Sequence, residues 1–379
     1  MNEEQIRQQL RGGWAGRNSS IELLRILSML LVLAHHFLVY NALDYTTLPF
    51  GGQRFLLQLF LESGGKIGVV IFFTISAWYL LECEQTLRGC LRRVWNLEKE
   101  VLFYSLVLAG LFFLFFRTHI GARYLLKSFM PLTQQVWWYS TAYAIFLLLL
   151  PFLMSGLRAL GRRRHLALCL ILVALYGVLT MVPGTQMVGQ AWSFVYMFVL
   201  IAGYRWYIEG VRDFRPLPMI AAGMGLLAAF VVLSMGAWAV AGVQLGAKYG
   251  NFVSDGVRLP VLLVGFGVFL LFRGKVFYSR AINGLARGAF AVYLITEYPP
   301  SREVLWSGAL DLGSLMADPW GFFVALGLLL GIYLCCTALD LVRQRVFRAT
   351  VDPLWDRLFE VLCGRVQAAA DALLGKLEG

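Results

Sequence analysis

Residues 17–40 read RNSSIELLRILSMLLVLAHHFLVY. From Ile21 to Tyr40 the segment is apolar apart from Glu22, Arg25, Ser28, His35 and His36. A helix of ~20 such residues crosses a hydrocarbon layer ~30 Å thick. The polar stretch before it holds Arg7, Arg11 and Arg17 and has no small-residue cleavage site. The segment therefore reads as a retained first membrane span, not a signal peptide.

The rest of the chain repeats this character. Of 379 residues, 59% are hydrophobic and only 15% charged, against ~25% charged in soluble domains. A soluble core cannot enclose that much apolar surface, which excludes a cytosolic enzyme and a secreted disulfide scaffold. The fold class expected is an all-α membrane protein, a bundle of about ten transmembrane helices. The spans fall near 21–40, 65–82, 97–116, 136–154, 165–182, 189–208, 217–238, 257–272, 279–298 and 320–342. Pro151, Pro218 and Pro260 are the only prolines inside them and lie near their ends, where a broken backbone bond is easiest to re-satisfy. This divides the chain into a cytoplasmic tail (1–20), a membrane domain (21–348) and a C-terminal segment (349–379).

A net charge of +11 would suggest nucleic acid in a soluble protein, but here it follows the loops. With the N-terminus inside, the predicted inner segments carry 23 Lys and Arg and the outer ones seven. That asymmetry places both termini in the cytoplasm, with an even number of spans, and removes the reason to expect nucleic acid. No cysteine falls in a predicted outer loop, so no structural disulfide is expected. After Thr350, Asp352-Pro353 is a helix-start pair, and Leu354, Leu358, Leu362, Val366, Ala369 and Leu373 recur with helical spacing. An amphipathic helix on the inner membrane surface is expected. Gly327 and Gly331 form a GxxxG pair suited to close helix packing, and a homo-oligomer stays open.

Two of the four histidines lie in the first span. Arg25 and His36 are eleven residues apart, three turns plus ~20°, so they share a helix face ~16 Å apart along the axis. Glu22 stands one turn before Arg25 on that face. His35 points ~100° away and suits a packing role. The bland alternatives are that Arg25 snorkels to the interface and His36 bonds a neighbouring helix. The sharper reading is that a buried ionisable residue faces a cavity and serves it. Lys66, at the outer start of span two, is an interfacial anchor or steers an anionic acceptor. Thr74 and Ser76 inside that span back-bond to carbonyls or face substrate. Trp138, beside Trp137 and Tyr139, belongs to an aromatic belt or stacks on a sugar ring. Glu297 ends span nine at a depth that reaches His36, or is a free interfacial carboxylate. Asp340 and Arg343 form an i,i+3 pair, most simply structural.

The stretch from Arg17-Asn18-Ser19-Ser20 through Arg25 to His36 resembles the bacterial integral-membrane acyltransferases of the acyltransferase 3 type, whose signature is Arg, ten residues, His. The resemblance continues at Gly65-Lys66-Ile67-Gly68-Val69 and Phe72-Phe73-Thr74-Ile75-Ser76. It extends through Trp138 to Tyr143 with Pro151-Phe152-Leu153, through Ala291-Val292-Tyr293-Leu294-Ile295, and to the run before Arg343. It implies ten membrane helices and transfer of an acyl group, usually acetyl from acetyl-CoA at the cytoplasmic face. The implied acceptor is a hydroxyl of a surface glycan, a lipid-linked saccharide or peptidoglycan. His36 and Arg25 match the family's essential histidine and arginine, and Tyr293 falls in a matching motif. Two positions depart: Ala77 stands where the family usually has Gly, and Thr296 where it commonly has His, leaving Glu297 to serve in its place or the chain to do without.

The leading expectation is thus an O-acyltransferase of the bacterial cell membrane, with acyl-CoA as donor and no metal. His36, Arg25 and Glu297 would act in catalysis, Arg25, Arg92 and Arg93 on the nucleotide end of the donor, and Lys66, Ser76, Trp138 and Tyr293 on the acceptor. Expected partners are membrane lipids and the glycan. A transporter or flippase using the same buried groups would show flux without acyl-CoA consumption, and a silent membrane scaffold would bind no acyl-CoA.

Overall fold

The computed structural model describes residues 17–41, 48–182, 190–243, 258–308 and 320–378. Arg7, Arg11 and Lys248 of the charge count, and the side chains of Ala369 and Leu373, lie outside the described residues. The described elements are all helical, with no strand among the described residues. In chain order they are α1 (Ser19–Tyr40), α2 (Gly52–Leu80), α3 (Leu87–Phe115), α4 (Ala122–Lys127), α5 (Trp138–Leu172), α6 (Gln190–Tyr207) and α7 (Pro216–Ala241). Then follow α8 (Leu259–Arg273), α9 (Arg280–Leu285), α10 (Ala289–Thr296), α11 (Pro299–Arg302), α12 (Gly321–Ala349) and α13 (Val351–Glu378). Among the described residues five helical runs are long and apolar enough to cross a membrane: α1, α2, the run Trp138–Met181, α7 and α12.

Asn18 starts α1 by accepting a hydrogen bond from the Ser20 amide at 3.0 Å, which satisfies one of the donors a helix start leaves open. The same turn is tied to the far side of the sequence. Asn18 Nδ2 donates to the Lys275 carbonyl (2.9 Å), Ser20 Oγ to the Phe272 carbonyl (2.7 Å) and Ser19 Oγ to Asn283 Oδ1 (2.8 Å). Along its length α1 lies directly on α2. A Cβ on Gly65 would sit 2.5 Å from His35 Cγ, and one on Gly68 2.6 Å from the Ser28 carbonyl oxygen. Glycine at both positions is what lets the two backbones meet.

The helices differ from the expected spans in several places; the third begins at Leu87 rather than 97, so Arg88, Arg92 and Arg93, expected in a loop, lie on it. The second begins at Gly52 rather than 65. Arg54, Gln58 and Glu62, which look like loop residues in sequence, are buried on its first turns. Their i,i+4 spacing puts them on one face, where Gln58 Nε2 donates to Glu62 Oε1 and to Ser234 Oγ of α7, each at 3.0 Å. The run from Trp138 to Met181 is 44 residues, ~66 Å of continuous helix, twice the hydrocarbon thickness. It is interrupted at Gly161, whose φ of 69° and ψ of 172° are non-helical, a conformation glycine adopts without steric penalty. Two lengths, 138–160 and 162–181, result on either side of Gly161, the second opening with Arg162, Arg163 and Arg164. The ninth expected span, 279–298, is not one α-helix: a 3₁₀ turn at Ala286–Gly288 separates α9 from α10.

Aromatic rings fill the centre. Phe73 stacks on Phe194 at 4.4 Å and meets Phe146 edge-on at 5.1 Å, the arrangements ring quadrupoles favour. Ala77 is fully buried, and next to it Trp78 is held between the guanidiniums of Arg205 and Arg273, 4.6 and 4.4 Å from its ring. On the opposite side, Asp340 of α12 is fully buried. It accepts from Tyr104 (2.8 Å), Arg343 Nε (2.6 Å) and Gln344 Nε2 (2.7 Å), while Arg343 Nη2 reaches Glu100 at 3.0 Å. A buried carboxylate is tolerable only with such company.

The helix expected to rest on the membrane surface, α13, is clamped to α3. Lys99 donates to Asp352 (2.6 Å), Arg92 to Asp356 (3.2 Å), and Arg88 pairs with Glu360. Trp95 and Trp355 stack at 4.4 Å, each indole N–H donating to the other residue's carbonyl. Leu354, Leu358, Leu362 and Val366 remain exposed on another face of α13.

Candidate functional site

The α1–α2 contact fixes what α1 presents on its other sides. His36 Nδ1 lies 2.8 Å from Glu297 Oε1 at the end of α10. The two atoms are close enough for an ion pair, although they do not complete an aligned hydrogen bond. The His36 ring stacks on Tyr40 at 5.6 Å. Tyr40 Oη accepts from Arg302 Nη1 at 2.6 Å, and Arg302 Nε stands 4.0 Å from the second Glu297 oxygen. An imidazole, a carboxylate, a phenol and a guanidinium thus form one chain, drawn from α1, the α10 terminus and α11. Glu297 is buried, and the groups closest to its two oxygens are His36 and Arg302.

This chain borders a cavity of about 320 Å³. His35, His36, Lys66, Trp138 and Tyr293 all line it, with Phe72, Tyr139, Ser193, Phe194 and Phe290 completing the wall. Four residues selected from sequence, His36, Lys66, Trp138 and Tyr293, therefore meet at one space, and His35, expected to pack, lines it as well. Ser76 is not among them; its Oγ leans on the Phe72 carbonyl one turn back, at 3.4 Å. Thr296 likewise turns its hydroxyl to the Val292 carbonyl (2.8 Å) and is buried. The other histidines lie elsewhere: buried His165 bonds the Val199 carbonyl at 3.0 Å, and His119 stands beside Glu303 at 3.2 Å.

Arg25 occupies a second space, of about 390 Å³, near the N-terminal end of α1. Its Nη1 is 2.6 Å from Glu22 Oε2. Arg17, Arg287 and Arg348 line the same space, with Gln344. Among the described residues this lining brings four guanidiniums together, and their donors suit an anion with several oxygens. The two spaces share a wall, because Phe72 and Phe290 line both. Arg92 and Arg93 are not in either lining; Arg92 is engaged by Asp356 and Glu360 of α13.

Sequence reasoning did not reach Arg287, Arg348 and Gln344. Arg287 is carried in by the 3₁₀ turn of residues 286–288, and Arg348 looks like an ordinary cytoplasmic charge. A usable signal existed for Gln344 and Arg348, which lie one and two turns beyond Asp340 on the same face of α12. Among the described residues no group of three or more His, Cys, Asp or Glu is placed to hold a metal ion.

Comparison with curated proteins and with solved structures gave no match. A family model described as an acyltransferase domain matches residues 18–340, which takes in both spaces except for Arg17, Gln344 and Arg348. Those residues include α1 with its Arg25 and His36, the Glu297 that meets His36, and the Phe72–Phe290 wall, and the chain belongs to the acyltransferase 3 family of membrane acyltransferases.

Proposed function

We propose that the protein moves an acyl group, acetyl in the simplest case, from cytoplasmic acyl-CoA to a hydroxyl of an extracytoplasmic or lipid-linked glycan. In this reading it sits in a bacterial plasma membrane with ten spans and both termini inside. The observation that carries it is the pairing of an arginine-lined space with a histidine-lined space across one aromatic wall, at the two ends of a single helix face. The CoA phosphates would rest among Arg17, Arg25, Arg287 and Arg348, facing the cytoplasm. The thioester arm would pass between Phe72 and Phe290 and bring the carbonyl carbon to His36.

There the acceptor hydroxyl loses its proton to His36 as its oxygen attacks that carbon. The C–O bond forms, the C–S bond breaks, and the proton passes from His36 to the departing thiolate. With Nδ1 turned to Glu297, Nε2 is the nitrogen for the hydroxyl, and the carboxylate steadies the imidazolium in between, the logic of a base oriented by a third group. Trp138 and Tyr293 give apolar faces for a sugar ring, and Lys66 favours an acceptor bearing phosphate.

Purified protein in nanodiscs, supplied with acetyl-CoA and a simple sugar alcohol, tests the reading through release of free CoA thiol. His36→Gln is expected to lower kcat by ~10³-fold, the scale of general base catalysis. Glu297→Gln should lower kcat with KM for acetyl-CoA unchanged, since it positions the base without touching the donor. Full turnover in His36→Gln would overturn the assignment.

A further inference from the structure

Besides these two spaces the bundle contains a third, an apolar groove of about 400 Å³ bounded by α2, the second length of α5, α6, α7 and α8. Hydroxyls enter its lining only from Thr74 and Tyr204, and the Tyr204 hydroxyl is turned toward Asp213 at 3.4 Å. A space of that size with so few polar partners does not hold ordered water. It follows α6 from Met197 to Ile208, eleven residues or ~16 Å, about half the thickness of a hydrocarbon layer. Two features make it more than a packing fault. Met197, itself buried, lines both the groove and the His36 cavity. On the α5 wall the helix changes at Val173 to a π-helical turn running to Val178, a rare form that recurs at functional sites.

We propose that this groove holds the hydrocarbon chain of a lipid-linked acceptor while its hydroxyl-bearing head lies in the His36 cavity. The inference rests on the transferase reading for its choice of head group, and on the groove alone for the chain. The rim decides between an acceptor and a donor chain. Leu170 on the edge, within the second length of α5, is 73% exposed, so in a membrane the groove opens sideways to lipid there. A chain already in the bilayer slides in there. An acyl chain on cytoplasmic CoA would instead have to thread past Phe72, Phe290 and Met197. Met197 then stands at the junction of head and chain.

The full-length protein in phosphatidylglycerol nanodiscs would be irradiated with a polyprenyl phosphate carrying a diazirine in its chain, and the labelled residues mapped. Labelling is expected on segments 166–173 and 197–208, falling about tenfold, equivalent to ~1.4 kcal/mol of binding, in Leu166→Trp and Ile201→Trp, which fill the groove. Ile201 is buried, where an added Trp risks misfolding, so Leu166→Trp at the half-buried rim carries the test. That variant should keep wild-type thiol release with a short water-soluble alcohol. Equal labelling by a diazirine phosphatidylglycerol would mean ordinary bilayer lipid and would overturn the proposal, as would displacement by a long-chain acyl-CoA but not by unlabelled polyprenyl phosphate. Absence of transfer to any alcohol would instead remove the transferase reading, with the labelling pattern still reporting on the groove.

Discussion

Two sets of basic residues differ in what the fold does with them. Arg88, Arg92 and Lys99 come from one stretch of α3 and are matched one for one by Glu360, Asp356 and Asp352 of α13. Arg17, Arg25, Arg287 and Arg348 come from four separate places and converge on one space, where Glu22 is the carboxylate paired with Arg25. The first set is dense in sequence and neutralised in space. The second is dispersed in sequence and concentrated in space. In this chain, local charge density in sequence goes with helix docking, while the arginines that share a space are brought together only by the fold.

The largest effect should come from Asp340, whose network ties α3 to α12 and orients Gln344 at the second set. Asp340→Ala leaves Arg343 buried without its closest partner and is expected to cost about 3–5 kcal/mol, read as a lowered Tm in detergent, together with weaker donor binding. An unchanged Tm would detach the second set from this network. Next, Arg287→Ala and Arg25→Ala should each lower kcat/KM for acyl-CoA by ~100-fold, the scale of losing one preorganised charged donor, while Arg92→Ala stays near wild type. If Arg92→Ala were as damaging as Arg287→Ala, the contrast between the sets would be wrong. Trp355→Ala should lower Tm by the equivalent of about 1 kcal/mol from the lost stack with donor KM unchanged. Smallest, Glu360→Ala removes an exposed pair worth ~0–1 kcal/mol and should leave both readouts within error.

The legible part of the site was what one helix carries by itself. Arg25 and His36 share a face by counting alone, and Glu297 could be assigned a depth from its position at a span end. The membrane class followed from composition. What stayed hidden depends on more than one element. Arg287 required the 3₁₀ turn that divides the ninth span, and Arg348 required α12 to come back beside α1. The start of α2 was missed because Arg54, Gln58 and Glu62 look solvated until α7 supplies Ser234. The docking of α13 was half visible: Asp352, Asp356 and Glu360 recur every four residues, an acidic stripe that a membrane-surface reading of the apolar face passes over.

The glycine contact between α1 and α2 has a consequence for the donor's dimensions. Gly65 and Gly68 seat α1 closely on α2 against His35 and Ser28, and α1 itself sets ~16 Å between Arg25 and His36 along its axis. On the proposed transferase reading, that spacing would set the length of donor arm able to join the arginine-lined space to the histidine-lined one. One residue inserted between Ser28 and His35 would change the measure by only ~1.5 Å but swing the imidazole by ~100°, off the scale altogether.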